Sequence, residues 1–309
     1  MHSTTNNLGH AWLEVDFVAG QSTITRACAV NPIRLLTPRS RGASVWTYTS
    51  TFGGGFVAGD CVSLDVRLQP GTRCFLGSQA STKVYRNPNA LPCRHSLRAN
   101  LGTGALLVLA PDPIQCFAES IYEQRQEFHL EAGAGLVLVD WLSAGRTARG
   151  ERWAFRRFES RNEVFVGDNR LMLDSLRLDP NDGPIDSPFR MGRFNCLATV
   201  VLAGLPMCDQ ARQLIERVAS EPVARHSSLL VAASPLLGAN ERWRKTPSSP
   251  DIGARPRESG IERTLAPPTF MGVVLRLAGT CVEQVGATIA QHLSFVRDIL
   301  KDDPWARKW

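Results

Sequence analysis

The chain has 309 residues, of which 43% are hydrophobic and 21% charged, a balance that suits a soluble globular protein with a substantial core. The composition excludes a wholly disordered chain. The net charge of +6 is small, and the arginines are scattered instead of clustering with aromatic residues, which argues against a nucleic-acid binder. An acidic protein partner fits this charge at least as well.

The cysteines and the N-terminus bear on the cellular compartment. Eight cysteines include no C-x-x-C pair and no tight cluster with histidine, so the sequence offers no zinc-finger or iron-sulfur pattern. Residues 1–9 are polar, and no run approaches the roughly 18 apolar residues of a membrane span. We therefore expect a cytoplasmic protein with reduced thiols that binds neither membrane nor nucleic acid.

Alternation of apolar and polar residues dominates the first half of the chain. Val62, Leu64, Val66 and Leu68 alternate with polar residues, which predicts a half-buried strand. The turn residues from Gln69 to Thr72 follow, and they predict a hairpin to a second strand.

Glycine turns recur at a fixed interval. Gly71, Gly102 and Gly133 lie 31 residues apart, and an apolar run follows each one. This recurrence predicts a mainly β fold of stacked, coiled strand-turn-strand sheets, similar to a β-solenoid, in which the three glycines occupy equivalent turns. Polar loops at a constant offset would then meet at one edge, namely Ser78 to Asn87, Pro111 to Cys116 and Asp140 to Glu151.

The second half of the chain adds strands and about two helices. Strands are predicted at Trp153 to Phe158, Val164 to Val166, Leu171 to Leu178, Leu197 to Leu202, Leu229 to Ala233 and Met271 to Leu277. Apolar residues at helical spacing predict helices from about Met207 to Ser220 and from Thr280 to Leu300. The proline-rich stretch from Ala239 to Pro268 has no periodicity, so we expect a disordered surface insertion within one domain that spans residues 1–309.

The stretch from Gly53 to Asp60 is the most distinctive one. It nearly matches two phosphate-binding loops, but it leads into a strand and lacks the lysine that a Walker loop needs. A tight backbone crossing that requires positive φ is the simpler interpretation. Asp60 either caps this turn or faces a ligand.

Three further loops carry chemically distinctive residues. The loop from Ser78 to Arg86 concentrates hydroxyl groups, and it is either a solvated loop or a binding edge. In Pro111 to Ile114, two prolines fix Asp112, which favours a turn over a catalytic carboxylate. Asp140 closes an apolar strand, so it is either paired with a nearby arginine, the favoured interpretation, or placed on a cation pathway.

Catalytic signatures are missing from the sequence. It contains no G-x-S-x-G elbow and no H-E-x-x-H motif, and its six histidines lie far apart. A site assembled from distant residues remains open, but the pattern gives no positive sign of an enzyme.

Taken together, these segments resemble the UreD family, also called UreH, of urease accessory proteins. The resemblance rests on the order and spacing of several short motifs and runs from about residue 12 to the C-terminus. These motifs are Gly53 to Asp60, Thr82 to Arg86, Pro111 to Ile114, Gly145-Arg146 with Gly150-Glu151, and the terminal Arg307-Lys308-Trp309. The insertion and Cys61 depart from the family pattern.

This resemblance implies a non-catalytic maturation factor that binds apo-urease, associates with UreF and the GTPase UreG, and helps to deliver nickel. No tightly bound cofactor is expected, and Ni²⁺ would only pass through. Asp60, Asp140 and Asp174 are the candidate wall groups of such a path. The motif residues are candidates for partner binding or structure: Gly53, Gly54, Gly55, Gly59, Thr82, Lys83, Tyr85, Arg86, Pro111, Asp112, Pro113, Gly145, Arg146 and Glu151.

An enzyme of the β-solenoid type that acts on carbohydrates is the alternative, since paired carboxylates along a groove could do acid and base work. A β-rich nucleic-acid binder is a third, weaker hypothesis. Two carboxylates at glycosidase spacing in an open groove would favour the enzyme, whereas an apolar docking surface would favour the scaffold.

Overall fold

The structure is a computed structural model that describes residues 8–39, 42–222, 227–238 and 269–306. The predicted insertion from Ala239 to Pro268 and the terminal Arg307-Lys308-Trp309 lie outside these residues. Strands make up 51% of the described residues, which confirms the mainly β prediction. The described part contains no helix that is long and apolar enough to cross a membrane.

The elements, in chain order, are as follows. The strands are β1 (Leu8–Val18), β2 (Gln21–Val30), β3 (Ile33–Leu36), β4 (Val45–Thr51), β5 (Gly55–Phe56), β6 (Cys61–Leu68), β7 (Arg73–Ser78), β8 (Thr82–Val84), β9 (Cys93–Leu101), β10 (Leu106–Leu109), β11 (Ile114–Cys116), β12 (Ile121–Leu130), β13 (Gly135–Ser143), β14 (Arg157–Val166), β15 (Asn169–Leu178), β16 (Cys196–Ala203), β17 (Leu229–Gly238) and β18 (Thr269–Gly279). The helices are α1 (Cys208–Ser220), α2 (Val282–His292) and α3 (Val296–Leu300).

The strands form two facing sheets. One has seven strands in the order β15-β14-β12-β9-β6-β1-β2, and the other has the main order β17-β18-β16-β13-β10-β7-β4-β3. Between β4 and β14 the chain alternates between the sheets, so β6, β9, β12 and β14 pair in parallel in one sheet and β4, β7, β10 and β13 in the other. The short strands β5, β8 and β11 pair in parallel at one edge. This coil confirms the predicted solenoid-like stack. The segments predicted as polar loops do meet at one edge, but they contain β8, β11 and the end of β13, which pair there.

The corners of the coil correct two details of the sequence prediction. Strands β6 and β7 belong to different sheets, so the predicted hairpin is wrong and the turn at Gly71 is a corner instead. The register aligns Leu106 with both Arg73 and Gly135, which makes Gly104, not Gly102, the equivalent of Gly71 and Gly133. All three of these equivalent glycines have φ near +70°. Gly102 packs tightly against Pro70, whose backbone nitrogen would lie 2.9 Å from a Cβ.

Two hydrophobic layers hold the sheets. The inter-sheet layer contains residues such as Leu64, Leu107 and Phe128. On the other face of the larger sheet, α1 and α2 pack residues such as Leu214 and Ile289 against the strands, as the helical spacing predicts. The second predicted helix is interrupted between α2 and α3. The strand predicted from Trp153 is wrong, because Trp153 has a positive φ and pairing begins only at Arg157.

Candidate functional site

A row of polar side chains runs between the two sheets, across strands that otherwise bury apolar residues. On the seven-stranded sheet, His95 pairs in register with Gln124 and Gln124 with Ser160. Two residues further along the strands, Gln126 pairs with Asn162 and Asn162 with Asp174. On the facing sheet Asp140, Thr199 and Arg276 are in register. Strand pairing, parallel between β9, β12 and β14 and antiparallel elsewhere, thus aligns polar groups from seven strands along the axis of the coil.

Asp140 is the centre of this row. Gln124 Nε2 donates to Asp140 Oδ1 at 2.9 Å, and Ser160 Oγ and Asn162 Nδ2 each donate to Oδ2 at 2.7 Å. Gln126 Nε2 in turn donates to Asn162 Oδ1 at 3.0 Å. Among the described residues, Asp140 is held by buried neutral groups and not by an arginine, contrary to the favoured prediction.

Each end of the row reaches a different edge of the molecule. At one end Tyr122 connects Gln124 with His95, with distances of 3.2 Å from the hydroxyl to Gln124 Oε1 and to His95 Nδ1. At the other end, Arg276 donates to Asp174 Oδ1 at 2.6 Å and to Thr199 Oγ1 at 3.1 Å. About half of the Arg276 side chain is exposed, so this end opens to solvent.

Cavities accompany the row. An outer cavity of about 90 Å³ lies under the stretch from Gly53 to Asp60, here called the glycine loop, and is lined by Gly54, Phe56 and residues 78–82. An inner cavity of about 50 Å³ lies against Tyr122, Gln124 and Asp140. A smaller pocket continues between Asp140, Ser160, Asp174 and Thr199. The two predicted wall groups Asp140 and Asp174 therefore face one pocket.

Burial sets the protonation of the row. It lowers the pKa of His95 to about 4, an effect that the neighbouring Gln124 only partly opposes. It also raises the pKa of Tyr122 well above its usual value and that of the nearby Cys93 thiol to about 12. At neutral pH the imidazole, the phenol and the thiol are therefore all uncharged.

The lowered pKa of His95 predicts a dependence of stability on pH. The unfolded chain takes up a proton near pKa 6.5, whereas the folded chain does so only near pH 4, so acidification through this window favours unfolding. We expect wild type to lose about 2 kcal/mol more than His95→Gln between about pH 7.5 and about pH 5. Urea titrations at both pH values measure this difference. Equal losses in the two proteins would contradict a half-buried imidazole that stays neutral.

Asp60 lies outside the row. Its Oδ2 accepts the Val57 backbone N–H at 2.8 Å, and its own N–H donates to the Val57 carbonyl at 3.0 Å. Gly59 precedes it with φ of 84°, and the Asp60 carbonyl accepts from the Arg94 N–H. These contacts are those of the turn cap, the first of the two predicted roles, and Asp60 lines none of the three cavities described above.

The glycine loop packs against the loop that contains Tyr85. Gly53 and Gly54 have φ of 79° and 74°, and Tyr85 Oη donates to the Gly53 carbonyl at 3.1 Å. A Cβ on Gly55 would lie 2.6 Å from the Lys83 carbonyl oxygen and 2.8 Å from the Tyr85 ring. Glycine at this position therefore lets β5 approach β8, which confirms the interpretation as a tight backbone crossing.

The remaining motif residues extend the same edge. The rings of Tyr85 and Phe117 are 5.4 Å apart, and the Arg146 guanidinium lies 4.1 Å from the Phe117 ring centre. Arg146 binds Glu151 through two nitrogens, and Glu151 also accepts from the Ala118 N–H. Neighbouring side chains complete the edge. Arg86 forms a double contact with Glu119, and the Asp112 N–H donates to Ser78 Oγ. Thr82 lines the outer and the inner cavity, Trp141 donates to the Pro111 carbonyl, and Pro113 is buried.

Most of the polar row was absent from the sequence prediction. The candidate site residues named from the sequence do not include His95, Tyr122, Gln124, Gln126, Ser160, Asn162 and Arg276. The signal existed in β12, where Tyr122, Gln124 and Gln126 alternate with three charged residues and lead in phase to buried Phe128. The charged set has to face solvent, so the amides have to point inward.

Among the described residues, no group of three or more His, Cys, Asp or Glu side chains is arranged to hold a metal ion. The carboxylates of the row, Asp140 and Asp174, lie on different strands and have separate hydrogen-bond partners. Any cation in this row would meet protein ligands one or two at a time.

A model of the family described as UreD urease accessory protein matches residues 8–309. The urease accessory protein UreD of Sorangium cellulosum is 41% identical over 292 residues, covering 94% of this chain and 81% of that protein. The UreD protein of Anaeromyxobacter is 37% identical over 299 residues, covering 97% and 89%. Urease accessory protein D of Oryza sativa subsp. indica is 31% identical over 299 residues, covering 95% and 94%. The chain therefore belongs to the UreD family of urease accessory proteins.

Proposed function

We propose that the chain is a non-catalytic urease maturation factor through which Ni²⁺ passes on its way to the active site of apo-urease. Family membership supports the maturation role. The observation that carries the transfer step is the polar row, which connects a cavity at the glycine loop with the exposed Arg276 end. In this proposal Ni²⁺ is cargo, and no resident cofactor is needed.

The chemistry of the row suits passage. Amide, hydroxyl and single carboxylate oxygens bind Ni²⁺ more weakly than a closed set of thiolates and imidazoles. A buried polar lining also lowers the cost of moving a partly hydrated dication between two sheets. Asp140 supplies negative charge midway, and Asp174 is neutralised by Arg276 near the exit. The cation would therefore be attracted inward without being trapped.

The edge formed by the glycine loop, Tyr85, Phe117 and Arg146 is the proposed contact surface for partners. Its loops are held by the contacts between Tyr85 and Gly53 and between Arg146 and Glu151. Phe52 and Val57 on the glycine loop are 64% and 47% exposed, so this rigid edge presents apolar side chains to solvent. In the proposal, UreF and UreG dock with the chain here and apo-urease receives Ni²⁺ from the opposite end of the row.

A cytoplasmic location completes the proposal. All eight cysteines are free thiols, as expected in a reducing compartment. Apo-urease, UreF and UreG would then share the compartment with this chain.

Co-purification tests the assembly. A tagged chain expressed with the urease subunits should retain them on affinity resin, and adding UreF and UreG should give one larger complex on gel filtration. Arg146→Ala removes the contact to Phe117 at the proposed docking edge, while Arg170→Ala at the far edge of the seven-stranded sheet is the matched control. Loss of UreF from the Arg146 variant alone would support the surface, and equal retention would contradict it.

The carbohydrate-enzyme alternative lacks a supporting observation. The open groove on the outer face of the seven-stranded sheet contains Asp65, Glu127 and Glu163. Glu127 and Glu163 lie in ion pairs with Arg98 and Arg161, and Asp65 contacts His10 Nε2 at 3.2 Å. Ion-paired carboxylates at a sheet surface are structural groups, whereas a glycosidase acid needs a raised pKa.

A further inference from the structure

The direction of each hydrogen bond in the polar row can be assigned from Asp140. A carboxylate only accepts hydrogen bonds, so the amide nitrogen of Gln124 has to face Asp140 Oδ1, 2.9 Å away. The other amide atom, Gln124 Oε1, then faces the Tyr122 hydroxyl at 3.2 Å and accepts its single proton. The orientation of Gln124 is thus fixed by the charge beside it.

This direction determines the tautomer of His95. Because Tyr122 gives its proton to Gln124, its oxygen can only accept at the contact with His95 Nδ1, which is 3.2 Å away. The His95 proton therefore lies on Nδ1, and Nε2 carries the free lone pair. Metal-binding histidines are oriented in this way, by an outer partner on one ring nitrogen that leaves the other for the metal.

His95 lies where the outer cavity meets the inner cavity. His95, Thr49 and Thr82 each line both the outer and the inner cavity, so they form the boundary between them. Among the described residues, the His95 ring forms its hydrogen bond to Tyr122 through Nδ1 and not through Nε2. A neutral imidazole and two hydroxyl groups therefore face the passage where the outer cavity meets the polar row.

We propose that His95 Nε2 is the ligand that receives a borderline divalent cation, such as Ni²⁺, as it enters the row. Imidazole suits such ions, and the hydroxyl groups of Thr49 and Thr82 with water complete a weak, open coordination sphere. This inference rests on the proposed function. Asp140 and Tyr122 act as positioning residues, because they set the His95 proton without touching the ion at this point.

A substitution distant from His95 tests the positioning chain. In Asp140→Asn the new amide can donate, which allows Gln124 to turn its oxygen toward residue 140 and its nitrogen toward Tyr122. Tyr122 would then donate to His95 Nδ1, and the His95 proton would move to Nε2. The bare nitrogen would no longer face the passage, although His95 itself is unchanged.

Nitrogen NMR of the full-length chain, labelled with ¹⁵N-histidine, reads the tautomer directly. We expect His95 to be protonated at Nδ1 in wild type and at Nε2 in Asp140→Asn. Addition of Ni²⁺ alone should broaden the His95 Nε2 signal in wild type at a lower concentration than in Asp140→Asn. An Nε2-protonated His95 in wild type would overturn the inference.

Direct binding provides the second measurement. Calorimetry with Ni²⁺ alone should show at least about tenfold weaker binding for His95→Gln, the loss typical of a removed ligand or its supporting shell. His129→Gln is the control, because His129 stacks on Phe165 at the outer face of the same sheet. Urea titration confirms that both variants fold. Equal affinity of His95→Gln and wild type would overturn the inference.

The nickel content of urease separates this inference from the proposed function. If His95→Gln binds Ni²⁺ like wild type while Asp140→Asn still depletes urease of nickel, the ligand assignment fails and the path stands. If His95 binds Ni²⁺ as expected but urease acquires its full nickel content with both variants, the ligand assignment stands and the path fails.

Discussion

Replacing Asp140 with Ala is expected to lower the free energy of unfolding by about 3 to 5 kcal/mol, because it leaves buried hydrogen-bond donors without an acceptor. Three donors, from Gln124, Ser160 and Asn162, would lose their common acceptor inside the protein. Urea-induced unfolding followed by fluorescence measures the change. Asp140→Asn keeps an acceptor for Ser160 and Asn162 and is the matched control, with an expected loss of about 1 to 2 kcal/mol. A loss below about 1 kcal/mol in the Ala variant would show that water replaces the carboxylate.

Gly145→Ala should cost about 3 kcal/mol or more, because it combines an unfavourable backbone conformation with a collision. Gly145 has φ of 99°, and a Cβ there would lie 2.7 Å from the Glu151 carbonyl oxygen and 2.8 Å from that of Cys116. Both opposing atoms are backbone, so neither can rotate away. The same substitution should also displace Arg146 from Phe117 and weaken partner binding.

Gly150→Ala is the control for Gly145. Gly150 has φ of 75°, but no neighbouring atom lies within 4 Å of the position that a Cβ would take, so only the conformational cost applies, about 1 kcal/mol. Urea titrations of both variants compare the two glycines. Similar losses in the two variants would show that the loop from residue 145 to 151 can shift to accommodate a methyl group.

The solenoid-like fold could be predicted from the sequence because the patterns that indicate it are local. Alternation over seven residues identified β6, and recurring glycine corners identified the coil. The interval of 31 residues was only approximate, since Gly104 and not Gly102 occupies the equivalent corner. A corner needs one residue of positive φ, and two glycines in Gly102-Thr103-Gly104 made the choice between them ambiguous.

The polar row was harder to predict from the sequence, because its residues are brought together only by the order and register of the strands. Asp140 and Asp174 could be selected as single carboxylates in apolar strands, but their partners depend on register. Asp174 meets Arg276, 102 residues later, only because β15 and β18 face each other across the layer. Asp60, which looked similar in sequence, caps its own turn. Local pattern cannot distinguish a turn-capping carboxylate from one that lines an interior row.

The nickel content of purified urease tests the central claim most directly. Urease is matured in cells where this chain, as wild type, Asp140→Asn or Asp298→Asn, is the sole UreD protein, and metal per active site is measured by mass spectrometry. Asp298 is exposed on α3, away from the row, and serves as the control. Co-purification establishes that each variant still assembles with urease. Passage of Ni²⁺ along the row predicts nickel-poor urease with Asp140→Asn and normal urease with Asp298→Asn. Full nickel occupancy with Asp140→Asn would contradict it.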